Sequence, residues 1–283
     1  MRKKVGRKKP LIHRNELFQL QFIFRPGLTL PAGECRRLVH ALREVASTCF
    51  DDMPDYQVLR GTSDELNDKV LAVAWRPDGK AAGFCSCVLL QVPGLGEVLH
   101  LGLTCVRPDN RHCGLTHKLT KKAVSGYMVR YRPIGRVWIS NCAAVLSSLG
   151  NVAMHFDNVF PSPFAKKRPS KHHLKIAAAI DRYYRDKMYV NDDAVFDPIH
   201  FVFRGSVQGT VFEKEGDDAR FHHRQSFLNK YYQGIMKFEN GDEILQIGYA
   251  SSLTAFKYKL RNRKRKKIML VPEMEPITNQ ISA

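Results

Sequence analysis

The stretch from Val106 through Pro108, Arg111, Cys113 and Gly114 to Leu119 combines residue types and spacing that carry chemistry. An apolar strand runs up to Pro108, a short polar loop containing Gly114 follows, and the loop opens into a segment with helical periodicity. Backbone amides at the start of a helix point outward without intrahelical partners, and together with the helix dipole they form a site for phosphate oxygens. Gly114 suits such a loop because a side chain would hold the anion away from the backbone. The physics specifies an anion and leaves its identity open. The pairs His172-His173 and His222-His223 have no carboxylate or Cys partner at ligand spacing, so no metal site is predicted. Seven Cys fall between Cys35 and Cys142 with no Cys-x-x-Cys, which is neither a disulfide framework nor a zinc signature. Cys113 and Cys142 would act as nucleophiles only beside a group that stabilises the thiolate.

These residues need elements to hold them. Leu17 to Phe24 alternates and ends at Arg25-Pro-Gly, a strand closed by a turn. Pro31 then opens a helix in which Leu38, Leu42 and Val45 recur on one face. The apolar runs 70–75, 83–92 and 98–106, separated by Arg76-Pro-Asp-Gly and Pro93-Gly-Leu-Gly, predict an antiparallel meander. Leu115, Leu119, Ala123 and Met128 then predict an amphipathic helix with Lys118, Lys121 and Lys122 facing away. A strand at 137–140 and a helix at 143–156 follow, the latter stopped by Phe160-Pro-Ser-Pro. Further on, helices are predicted at 171–188 and 220–236, and strands at 199–203 and 244–249. The order predicts an α+β fold with a mixed, mostly antiparallel central sheet and helices on both faces.

The strand-loop-helix segment resembles the GNAT superfamily of acyl-CoA-dependent N-acetyltransferases. That signature runs Val-x-Pro-x-x-(Arg/Gln)-x-x-Gly-x-(Gly/Ala)-x-x-Leu, and Val106, Pro108, Arg111, Gly114 and Leu119 fall in register. Thr116 stands where the family prefers Gly or Ala, which leaves less room beside a pyrophosphate. The element order over about residues 15 to 160 is similar to the family's as well. The resemblance implies a domain over 15–255, with its core signature at 97–160 and helical insertions at about 161–196 and 208–240. It further implies acyl transfer from acetyl-CoA, or another short acyl-CoA, to an amine by direct attack. The pyrophosphate would meet amides of His112, Cys113, Gly114, Leu115 and Thr116, with Arg111 leading into the loop. The pantetheine arm would run between Thr104-Cys105-Val106 and Val137-Trp138-Ile139, with Asn141 touching the cofactor or capping the next helix.

Attack by an amine needs a base, and the departing thiolate profits from a donor. His100 is the expected base: strand alternation puts it on one face with Gly102, Thr104 and Val106, and imidazole titrates in the useful range. Glu97 is the second choice. His155 stands where the family often has a donor Tyr, with Val159 in place of a Gly, which leaves the thiolate's donor open among His155, Ser147, Ser148 and solvent.

The formal charge of +18 would suit a nucleic-acid binder, but it is concentrated. Residues 1–14 hold seven Lys or Arg and 257–267 hold eight, neither with an acid, which accounts for fifteen of the excess charges. The segments 1–14 and 256–283 therefore read as basic tails. An alternative function follows: a nucleic-acid-binding protein on the same scaffold, gripping through its tails. The N-terminus lacks the apolar stretch of a secretory leader and no apolar run reaches membrane-helix length, which predicts a soluble cytoplasmic protein.

Overall fold

The computed structural model describes residues 18–62, 64–111, 113–165, 168–216 and 218–251; both basic tails lie outside the described residues. Among the described residues, nine strands form one mixed sheet with the order β1-β2-β3-β4-β5-β9-β8-β7, and β6 pairs with β9. The strands are β1 (Gln19–Phe24), β2 (Lys69–Trp75), β3 (Ala81–Val92), β4 (Gly96–Val106), β5 (Arg136–Ala143), β6 (Asp157–Phe160), β7 (Val195–Asp197), β8 (Val202–Arg204) and β9 (Glu243–Ser251). The pairing of β4 with β5 is parallel and the others are antiparallel.

The helices are α1 (Pro26–Thr29), α2 (Ala32–Ala46), α3 (Leu115–Tyr131), α4 (Leu146–His155), α5 (Lys171–Tyr183), α6 (Arg185–Met188) and α7 (Ser226–Gln233). Alternation along β3 and β4 supplies both faces of the sheet with apolar side chains. On one face Phe84, Leu103 and Cys105 meet Leu38, Leu42 and Val45 of α2, and Val88, Leu90 and Val98 meet Ile176 and Ile180 of α5. On the other face Cys85, Leu99 and Leu101 meet Leu119, Ala123 and Tyr127 of α3. The helices α4 and α7 share a cluster built on Leu149, Leu228 and Tyr232.

Two departures from simple sheet geometry decide where chemistry can occur. Cys85 pairs with Thr104 while Cys87 pairs with Leu101, so Gly102 and Leu103 together face Ser86 in a β-bulge. Beyond it, the parallel ladder of β4 and β5 runs from Val98 with Trp138 to Leu101 with Asn141 and stops, although both strands continue. Meanwhile β5 stays paired with β9 as far as Ala143. The sheet is therefore open between the last turns of β4 and β5.

Several sequence expectations change at their edges. The helix predicted at 143–156 begins at Leu146, because Ala143 still belongs to β5. The helix expected at 171–188 breaks at Tyr184, which adopts a non-helical backbone between α5 and α6. The one expected at 220–236 contracts to α7, preceded by a 3-10 turn at Ala219–Phe221 whose first amides bond Asp218. The predicted 199–203 strand shortens to Val202–Arg204, and the short strands β6 and β7 were not anticipated. Among the described residues no helix is long and apolar enough to cross a membrane.

Candidate active site

The loop after β4 is held from both ends before it enters α3. Arg76 grips it through Asp109 and, at 2.6 Å, the Asn110 side chain, while the Arg111 guanidinium turns back to donate to the Val106 carbonyl at 3.3 Å. Gly114 is the N-cap of α3 with φ 71°, a left-handed backbone that glycine adopts without strain, and no side chain caps the helix. A Cβ at Gly114 would meet nothing within 4 Å, so the space over the first turn is open. The first amides of α3 have no preceding helical carbonyl to bond, which leaves the arrangement suited to an anion.

A cavity of about 710 Å³ passes through the opening in the sheet. On the α3 face it is bordered by Thr104, Thr116, Thr120, Asn141, Ser148 and His155. Strand parity puts Cys142 and Glu243 on the opposite face, and there they border the same cavity together with Tyr56, Tyr189, Phe212 and Lys214. The space thus links the amide end of α3 to a buried carboxyl group across the sheet.

Glu243 is 7% exposed, and burial raises its carboxyl to about 7 against the Ser206 and Cys142 donors and the nearby Lys214 charge. Ser206 Oγ donates to Oε2 at 2.7 Å and Cys142 Sγ donates to the same oxygen at 3.7 Å. Burial and the Glu243 charge push the Cys142 thiol far up, so Cys142 is a neutral donor and no nucleophile. Tyr56 is held well above the usual phenol range by burial and by Glu243, and its oxygen accepts from Gln57 Nε2 at 2.8 Å. Gln57 in turn lies over Gly102, where a Cβ could fit only by displacing its side-chain amide. A carboxyl group that titrates near neutrality inside a cavity is suited to take a proton from an amine.

The expected site residues divide accordingly. Thr104, Thr116, Asn141 and His155 border the cavity. Asn141 does not cap α4, whose N-cap is Val145; its Nδ2 donates to Gln246 at 3.2 Å and its Oδ1 accepts from Ser148 at 3.5 Å. His155 donates Nδ1–H to the Asn151 carbonyl at 2.8 Å, and its ring lies 5.3 Å from that of His117. Leu115 and Val106 are buried in the core under α3, so each can offer only its backbone to a ligand. Cys113 donates to the Asn110 carbonyl at 2.8 Å. Cys105 points to the α2 side, where its thiol bonds Cys49 and draws the Cys49 thiol down to about 5, with help from Thr48 and Arg111 and against burial. His112 lies outside the described residues.

His100 requires a correction. The β-bulge reverses the parity of β4, so His100 faces away from Thr104 and Val106 instead of sharing their face. It is 1% exposed, lies within the closed part of the ladder opposite Ser140, does not border the cavity, and shares a hydrogen bond of 3.0 Å between Nδ1 and Ser140 Oγ. Burial alone pulls its imidazole down to about 3, so the ring is neutral near pH 7. Glu97 is occupied as well, by Arg25 at 2.7 Å, Tyr127 at 2.8 Å and Gln91 at 3.1 Å. The residue that sequence reasoning missed is Glu243. Its position after Asn240-Gly-Asp242 marks it as the start of a strand, and its burial comes from distant partners: Phe203 opposite it in β8, Cys142 of β5 and Ser206. Among the described residues no cluster of His, Cys, Asp or Glu could hold a metal ion.

The strand order, the parallel pair that opens after Leu101 and Asn141, and the loop entering α3 at Gly114 define a GNAT-like fold. Solved structures similar to the chain include an acyl-CoA N-acyltransferase from Pseudomonas aeruginosa, at 19% identity over 51% of this chain and 92% of that one, with a TM-score of 0.37. A ribosomal-protein-alanine N-acetyltransferase from Brucella melitensis biovar Abortus 2308 is similar at 17% identity, over 40% of this chain and 74% of that one, with a TM-score of 0.29. A glucosamine-6-phosphate N-acetyltransferase from Arabidopsis thaliana is similar at 14% identity, over 40% and 76%, with a TM-score of 0.27. No protein-family model and no curated protein matches the chain.

Proposed function

We propose that the protein transfers an acetyl or other short acyl group from a coenzyme A thioester to an amine by direct attack in a ternary complex. The observation that carries this reading is the cavity through the sheet, with open helix amides at one end and Glu243 at the other. In this reading the diphosphate lies over Gly114, Leu115 and Thr116, and the pantetheine arm follows Thr104 and Asn141 past Ser148 and His155. The thioester then reaches the opening between β4 and β5, where an amine bound on the Glu243 side attacks the carbonyl carbon. An acceptor that arrives as an ammonium first gives one proton to the Glu243 carboxylate, which frees the lone pair for attack; the carbon–sulfur bond then breaks, and the second proton, lost by nitrogen as the amide forms, goes to the departing thiolate. Cys142 and Tyr56 are both neutral in this half of the cavity, the Cys142 thiol donating to Glu243 and the Tyr56 oxygen accepting from Gln57.

Incubation of the full-length protein with acetyl-CoA and a panel of amines tests the reading, with free thiol measured alongside the mass of the N-acyl product. Thiol release matched one for one by N-acyl product is expected. A folded protein that binds neither acetyl-CoA nor coenzyme A would overturn it. A second reading rests on the fifteen excess charges in 1–14 and 257–267: those segments grip nucleic acid, alone or while the domain acts on a bound substrate.

A further inference from the structure

We infer that the acceptor is a small primary amine with one positive charge and an apolar aryl or alkyl body, its ammonium set against Glu243 and its body against Tyr56, Tyr189 and Phe212. This inference rests on the acyl-transfer reading and names the substrate class for it.

Three observations carry it. Both donors to Glu243, Ser206 and Cys142, address Oε2, while Oε1 has no hydrogen bond among the described residues and is not among the buried side-chain atoms that lack a partner. That oxygen is therefore accessible from the cavity the residue borders. A buried carboxylate with one open oxygen recognises a cationic donor far better than a neutral one, because pairing offsets the cost of keeping the charge out of water.

The second observation is the wall beside it. Tyr56, Tyr189 and Phe212 pack edge to face as a closed triangle, with ring centroids 5.6, 5.5 and 5.0 Å apart. All three border the cavity, as do Leu103, Met188 and Val207. The rings stand too close together for a cation to enter between them, so they form a wall against which apolar surface can lie. An amine with a hydroxylated or charged body would leave its polar groups unpaired there.

The third observation limits charge. Lys214 borders the same half of the cavity, and its Nζ is fixed by the carbonyls of Val211 and Glu213, each at 3.0 Å. A second ammonium on the acceptor would face this fixed cation, so diamines and polyamines are disfavoured.

Direct binding to the full-length protein without any acyl donor tests the inference, using isothermal titration with phenethylamine, hexylamine, ethanolamine, spermidine and the neutral isostere 2-phenylethanol. Phenethylamine and hexylamine should bind at least roughly tenfold tighter than ethanolamine, since a few buried methylenes suffice for that ratio. Spermidine and 2-phenylethanol should bind weakly. Glu243→Gln should weaken every amine and leave 2-phenylethanol unchanged, while Phe212→Ala should reduce the preference of phenethylamine over ethanolamine. Phe212→Leu, which keeps apolar bulk, should retain most of that preference and guards against a folding defect. Equal affinity for ethanolamine or spermidine, binding indifferent to Glu243→Gln, or a lysyl peptide preferred over the small amines would overturn the inference. Because no acyl donor is present, those failures leave the acyl-transfer reading standing. Conversely, amines that bind as expected yet yield no thiol from acetyl-CoA refute that reading alone.

Discussion

Replacing Glu243 with Gln should remove a pH dependence of stability whose sign is opposite to that of an ion-paired acid such as Asp197. The carboxyl ionises near 4.5 in the unfolded chain and near 7 in the native protein, burial being the main cause. Between those values the native state holds a proton that the unfolded state has lost, so native stability falls as pH rises. One pKa unit corresponds to 1.36 kcal/mol, which makes the full loss about 3 kcal/mol once the native carboxylate is ionised. Gln keeps an acceptor for the Ser206 hydroxyl, whose bond is 2.7 Å, and has nothing to titrate. The stability of the wild type minus that of Glu243→Gln, from urea denaturation, should therefore fall by about 3 kcal/mol between pH 4.5 and pH 8.5. Asp197 is held well below the usual carboxylate range by Arg204 and His200 against burial, and titrates in acid in both proteins, so it cancels in the difference. A difference that stays flat or rises with pH would refute the burial argument for Glu243. Turnover offers a second readout: wild-type kcat/KM should rise with pH through about 7, and Gln should lower it ~100-fold or more without that limb.

Gly114→Asp should keep the fold at some cost in stability, since a Cβ there meets open space but the left-handed backbone strains a side chain, and should weaken coenzyme A at least ~10-fold by setting a negative charge where phosphate should lie; unchanged affinity of the folded variant by titration would remove the loop assignment. Gly102→Ala drives a Cβ into the Gln57 amide and should destabilise by about 1–3 kcal/mol, with Gln57→Ala restoring much of it in a double-mutant cycle; strict additivity would show that the two residues do not press on each other. Because the Cys49 thiol is drawn down to about 5, iodoacetamide at pH 6 should alkylate Cys49 before any other cysteine, as read by peptide mass spectrometry; first labelling at Cys113 would contradict it. Full-length protein should bind nucleic acid at low salt and release it steeply between about 50 and 200 mM, with both properties lost on deleting residues 1–10 and 257–283; weak binding that survives the deletion would dismiss the basic segments as the grip.

The loop that enters α3 was legible because everything that forms it is local. Pro108 comes two residues after the last residue of β4, Gly114 supplies the left-handed cap, and the apolar spacing of α3 begins one residue later. The meander was legible for the same reason, since its turns carry their own chemistry at Arg76-Pro-Asp-Gly79 and Pro93-Gly94. The strands β6 and β7 were not, because four and three residues are too few to display a period and their pairing is decided by β9 and β8.

The misplacement of His100 has a more instructive cause. Alternation determines the face of a residue only while the ladder stays regular, and a single bulge exchanges the two faces for everything beyond it. Gly102, a glycine inside an otherwise apolar strand, was the available signal, since such a position often marks a bulge or a close approach, and here it marks both. The same bulge lies where β4 parts from β5, so the irregularity that hid the face of His100 is also what opens the sheet. Through that opening the cavity reaches Glu243 at the start of β9, whose carboxyl group is bonded by Ser206, 37 residues upstream, and by Cys142. The amide end of the cavity is thus written in one continuous stretch of sequence, whereas the Glu243 end is brought together by the pairing of β9 with β5 and the Ser206 hydrogen bond. Catalysis in this reading requires the second half to assemble around the first, which is why mutations at Gly102 and Glu243 should separate structural from chemical loss more cleanly than any change in the loop itself.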